Sequence, residues 1–207
     1  MRVPILGISL LAATLGLAVA ARAEGADEQR QCAATSGLTL DQKLSAILAK
    51  KEKPRDAQEQ IELGAFCSLY KRRHAAAVSF YSDAFADEPK LAEDLREQHR
   101  YHAACAAALA AAGMGEDAKN LSPEQRGKLR QQALEWRRAD LTAYTKHAEK
   151  DNQPARQAVH QRLSHWLQDA NLATVRETKA LAALPEQERN AWQQLWAEVA
   201  ALLKKCQ

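Results

Sequence analysis

Alanine occupies 43 of the 207 positions, whereas Val and Ile together supply ten. Strands need β-branched and aromatic side chains to fill a half-buried pleated surface, and aromatics make up only 5% of this chain. The abundant residues are Ala, Leu, Gln, Glu, Lys and Arg, which lose least on entering a helix. The expected fold class is therefore all-α. Eight glycines, with no G-x-G-x-x-G and no G-K-S/T string, exclude the common dinucleotide and P-loop phosphate cradles.

The first residues read as a targeting segment. Arg2 gives a short positive n-region, Val3 to Ala21 is almost unbroken apolar sequence, and Ala21-Arg22-Ala23 has the small-x-small pattern of a cleavage site. We expect residues 1–23 to be a signal peptide, 24–38 a polar flexible leader, and the protein to be exported, periplasmic or extracellular. An uncleaved anchor over 3–21 is the alternative, because the run approaches the length of a membrane span. Cleavage after Ala23 removes Arg2 and Arg22 and leaves 27 basic against 26 acidic residues. Such a balance argues against nucleic acid as a partner, since affinity for phosphates needs concentrated Lys and Arg. Lys50-Lys51-Lys53-Arg55 and Lys71-Arg72-Arg73 sit instead at predicted helix ends, where cations complement the dipole.

Spacing and punctuation divide the rest, 39–205, into helices of one expected domain. A first helix begins near Thr39 and ends before Pro54. A second covers about 56–72 with Ile61, Ala65, Phe66, Leu69 and Tyr70 recurring at three and four, and a third covers about 74–87 with Ala77, Val78, Tyr81, Ala84 and Phe85. A fourth is expected over 90–112, closed by Gly113, followed by a loop at 113–122. Ser122-Pro123-Glu124-Gln125 is a capping box that opens a long helix to about 149. On its stripe of Leu129, Ala133, Trp136, Asp140 and Tyr144, the carboxylate is expected to be buried and to need an Arg partner. Pro154 opens a helix to about Gln168, 169–176 is irregular, Lys179–Leu184 is a short helix, and Pro185 starts a last one with Trp192, Leu195, Trp196, Val199, Leu202 and Leu203 as its seam. The four Trp, at 136, 166, 192 and 196, are expected in the core.

A chain of helical hairpins calls for a repeat search. Ile61, Gly64, Ala65, Ala77, Tyr81, Ala84 and Pro89 fit the tetratricopeptide spacing, in which small residues let paired helices approach and a proline turns the chain into the next unit. Tyr101, Ala104, Cys105 and Ala108 restart the pattern before it lapses. The expected architecture is thus antiparallel hairpins forming a degenerate tetratricopeptide-like α-solenoid with a C-terminal helical extension.

The stretches RYHAACAAALAAAG (100–113), LRQQALEWRRADLTAY (129–144), HWLQDANLA (165–173) and LPEQERNAWQQLWAEVAALLKK (184–205) resemble the tetratricopeptide-bearing region of many planctomycete proteins, often C-terminal to a serine/threonine kinase domain. The resemblance covers about 60–205 and implies a solenoid used for protein–protein interaction, without catalytic residues. No kinase motif accompanies it: H-R-D and D-F-G are both missing. Cys67 and Cys105 fall on packing positions of consecutive first helices, and the resemblance implies buried free thiols there.

The expected function is a non-enzymatic module that holds a protein or peptide segment. In such repeats exposed first-helix positions face the groove, which gives Glu62, Ser68, Lys71, Arg72, His99, Arg100 and His102 as candidate partner-binding residues. A cofactor or metal is not expected. His99 and His102 share a helix face, but Cys105 is rotated away from them, so the set falls short of a usual zinc or haem ligand group. A small metal or redox protein using His99, His102 and the thiols, and a membrane-tethered structural domain, are the alternatives. Cys32 and Cys206, near the two mature ends, are a possible disulfide.

Overall fold

The computed structural model describes residues 39–149 and 152–207. The expected signal peptide (1–23), the leader (24–38) and Cys32 lie outside them. The described residues form nine α-helices and one 3-10 turn, with no strand among them. They are α1 (39–48), α2 (Ala57–Leu69), α3 (His74–Asp87), α4 (Pro89–Glu93), α5 (His99–Ala111), α6 (Pro123–Ala148), α7 (Gln153–Gln168), the 3-10 turn Ala170–Val175, α8 (Thr178–Ala182) and α9 (Glu186–Lys205). The chain divides between Lys53 and Pro54 into two compact units. In the first, α1 ends where Lys50 turns left-handed (φ 57°) and the Lys51 amide donates to the Ala46 carbonyl at 2.9 Å. All that follows concerns the second.

Local chemistry sets the helix starts. Asp56 accepts from the Glu59 amide at 2.8 Å to open α2, and Asn152 accepts from the Ala155 amide at 2.7 Å to open α7. The expected capping box at α6 is present in both directions, with Gln125 N to Ser122 Oγ at 3.2 Å and Ser122 N to Gln125 Oε1 at 2.8 Å. The helix expected over 90–112 is broken into α4 and α5. Asp94 accepts from the amides of Arg96 and Glu97, and Gln98 adopts φ 58°, so the chain turns through 94–98 before α5 begins.

Helix α5 is the hub of this unit. It packs most on α6 and then on α3, with further contacts to the 3-10 turn, α4 and α2. Ala103, Ala104, Ala106, Ala107, Ala108 and Ala110 are fully buried, as expected of a helix enclosed on nearly every face. Small side chains there bring neighbouring helices close. The same device joins α2 to α3: a Cβ added at Gly64 would lie 3.1 Å from the Tyr81 ring, so the aromatic fills the space the glycine leaves.

The 113–122 segment is more than a connection. Asp117 reaches back to cap α3, accepting from the Ala75 and Ala76 amides at 3.2 and 2.9 Å. Gly115 (φ 96°) lies against the Arg72 carbonyl, which accepts from the Glu116 amide at 2.7 Å. Arg126 closes the segment by donating to the carbonyls of Ala111, Ala118, Lys119 and Leu121. At the other end Trp192 and Trp196 stack with centroids 6.2 Å apart, and the Trp196 indole donates to the Val175 carbonyl at 2.7 Å. All four Trp are buried, as expected. Among the described residues no helix is long and apolar enough to cross a membrane.

Candidate functional site

A cleft of 640 Å³ opens between α2 and α5, walled by the start of α3 and by the end of α7 with the turn that follows it. Its apolar side is made by Ile61, Ala65 and Leu69 of α2, Tyr81 of α3 and Leu109 of α5. Leu69 is 70% exposed, a large apolar side chain left to solvent at the cleft edge beside the equally open Tyr70. The polar side carries Glu62, Ser68, His74, Glu97, His99, His102, His165, Asp169 and Asn171.

Asp169 organises the deep end. It accepts from the Tyr101 hydroxyl, from the Cys105 thiol at 3.6 Å, and through its other oxygen from the Asn171 amide at 2.9 Å. Burial favours the neutral acid, but these three donors together outweigh it and hold the carboxyl below its usual pKa. Tyr101 shifts the other way, raised first by burial and then by the neighbouring Cys105 and Asp169. Burial pushes the Cys105 thiol up to about 12, so it stays protonated at neutral pH. His102 stands exposed at the mouth, yet the surrounding walls exclude enough water to lower its imidazole pKa, with His99 and Arg137 adding to the shift.

At the shallow end Ser68 Oγ and His74 Nδ1 are 3.2 Å apart. Burial is the main cause lowering the His74 pKa. Asp117 lies near enough to oppose that shift, but both of its oxygens accept from α3 amides rather than orienting the imidazole. Among the described residues no carboxylate is hydrogen-bonded to the His74 ring, the place of the third member in a nucleophilic triad.

Of the residues expected from sequence, the fold brings Glu62, Ser68, His99 and His102 to this cleft. Lys71 and Arg72 do not line it. The helix expected to run to 72 stops at Leu69; Lys71 Nζ lies 5.3 Å over the Phe66 ring, and Arg72 takes φ 51° in the turn. Arg100 points away from the cleft, its Nε 2.6 Å from Asp140 Oδ1 with the side chain only 12% exposed. A buried carboxylate demands such a countercharge, and Arg137 supplies a second one. The sequence reading foresaw the partner of Asp140 without recognising that Arg100 was it. It also missed Tyr101, His165 and Asp169 as cleft residues, because two elements far apart in sequence, α5 and the end of α7, deliver them.

The alternative ligand set of His99, His102 and Cys105 does not converge, since the thiol is engaged by Asp169. Among the described residues no group of three or more His, Cys, Asp or Glu is placed to hold a metal ion. Cys67, like Cys105, is a buried free thiol pushed by burial to about 12. Cys206 is buried at the end of α9, while its expected partner Cys32 lies outside the described residues.

Comparison with protein-family models, with curated proteins and with solved structures returns no match.

Proposed function

We propose that this protein is a non-enzymatic helical module that holds a peptide or partner-protein segment in the α2–α5 cleft. The observation that carries this reading is the cleft itself: 640 Å³ of concave surface with an apolar wall, an exposed Leu69 at its edge and hydrogen-bonding groups opposite. An extended segment buries a side chain against Ile61, Ala65 and Leu109 and pairs its backbone with Ser68, Asn171 and the imidazoles. The close approach of α2 and α3 at Gly64 and Tyr81 supports treating this hairpin and α5–α6 as a degenerate tetratricopeptide-like pair. Protonated thiol and phenol groups, with a carboxylate already committed to three donors, favour binding over bond-making chemistry. Export by the N-terminal segment completes the proposal.

Selection of displayed peptides on the full chain tests it, with Ala65→Trp as the cleft-filling counterpart. Enriched peptides should lose most of their affinity for that variant while its helical circular dichroism persists. Peptides that bind both proteins equally would remove the cleft from consideration.

A further inference from the structure

The cleft is lined without a single Lys or Arg, in a chain that contains 29. Three carboxylates face it from three places: Glu62 on α2, Glu97 before α5, and Asp169 at the end of α7. Four of the six histidines face it as well: His74 on α3, His99 and His102 on α5, and His165 on α7. Imidazoles are largely neutral at pH 7 and above, so the lining is anionic there.

Three of the nearby arginines are already committed. Arg137 lies behind the Tyr101 ring, fully buried and paired with Asp140, which also holds Arg100. Arg176 donates to the carbonyls of Trp166 and Asp169.

We infer that the segment held in this cleft is basic, carrying Lys or Arg beside an apolar side chain, and that acidification releases it. The inference rests on the cleft being a binding site, as proposed above. The apolar wall takes the aliphatic or aromatic side chain, while Glu62 and Glu97 take the charges. As pH falls, each of these imidazoles that takes up a proton offsets part of the charge of the three carboxylates. The groups facing these imidazoles shape the response. His102 meets His99, His165, Asp169 and Arg137, and its lowered pKa extends the change towards more acidic pH. His74 meets Asp117 and Arg72.

The test is fluorescence anisotropy of the full chain with three fluorescein-labelled peptides. Each has the same central Leu-Phe-Leu, flanked by Lys-Ser, Glu-Ser or Gln-Ser pairs, and each is titrated near pH 7.5 and near pH 5. The Lys-flanked peptide should bind at least about tenfold more tightly than the Glu-flanked one near neutral pH, and weaken by at least about tenfold on acidification. The Gln-flanked peptide should change little. Glu62→Gln, at an exposed position, should weaken only the Lys-flanked peptide, and Ala65→Trp should weaken all three. Equal binding of the three peptides, or a Lys-flanked complex indifferent to pH, overturns the inference and leaves the cleft reading standing. No binding by any peptide at either pH, or binding unaffected by Ala65→Trp, overturns both.

Discussion

The guanidinium carbon of Arg137 lies 3.9 Å over the Trp166 ring, and both side chains are fully buried. The same group sits 4.7 Å over Tyr101 and pairs with Asp140. The planar cation thus joins the wall of the cleft to the α6–α7 core. Among the described residues its Nε and Nη1 have no hydrogen-bond acceptor, so the rings and the carboxylate carry its stabilisation. Arg137→Ala should cost about 3–5 kcal/mol, the usual penalty for removing one member of a buried ion pair, with a void added. Arg137→Met should cost clearly less, because it keeps the packed volume and Asp140 retains Arg100. Urea unfolding of the two variants side by side measures the difference.

Asp117 provides a second measurable relationship. Substitution with Ala removes the carboxylate that caps α3 from a distant loop, and about 0.5–2 kcal/mol of stability should go with it. Hydrogen exchange should quicken first at the Ala75 and Ala76 amides, while the α6 and α9 interiors keep their protection.

Gly115 is held at φ 96° with the space of its missing Cβ lying 2.5 Å from the Arg72 carbonyl oxygen. Gly115→Ala meets both a backbone strain and a collision with main chain, so the loss should be about 1–3 kcal/mol. The thermal midpoint of Gly115→Ala against Gly127→Ala, a site with only ordinary contacts, isolates that strain.

Acid should weaken the fold in two stages. His74 has a lowered folded pKa, chiefly from burial, so the unfolded chain binds its proton first. Its contribution is complete above the unfolded value near 6.5 and is lost as pH falls through the folded one. Asp169 is also lowered, against the pull of burial, by its three hydrogen bonds; its contribution is complete above the unfolded carboxyl range and disappears as pH drops through the lower folded value. Tyr101→Phe removes the strongest of those donors. It should move the second stage to higher pH and leave the first in place, as read from urea midpoints across the acid range.

Cys67 and Cys105 should resist alkylation in the native protein. Both are buried, and burial keeps both protonated with pKa values near 12. Mass mapping after a brief iodoacetamide pulse should find them unmodified in buffer and labelled in denaturant.

The capping box of α6 and the α2–α3 packing were readable because their causes are local. Ser122 and Gln125 lie three residues apart, and Gly64 announces a close approach within its own hairpin. The break at 94–98 was hidden because the alanine-rich run after it reads as continuous helix; a single Asp94 turn with a left-handed Gln98 decides the matter. Half of the cleft was equally hidden. Glu62, His99 and His102 follow from helix faces, but Asp169 meets Tyr101 across 68 positions, and no spacing rule links them. Arg100 illustrates the opposite error: periodicity put it on the open face, and the electrostatic demand of buried Asp140 turned it inward.

The capping of α3 by Asp117 has a consequence for how such a chain diversifies. A repeat that completes its own helix ends can be duplicated, deleted or transplanted as a block, whereas the α2–α3 hairpin finishes its second helix with a residue some forty positions downstream. Copying that hairpin alone would yield a unit with an open amide end. The α2–α3 hairpin therefore depends on the 113–122 segment for the end of its own helix, and moving it as a block would require carrying Asp117 along.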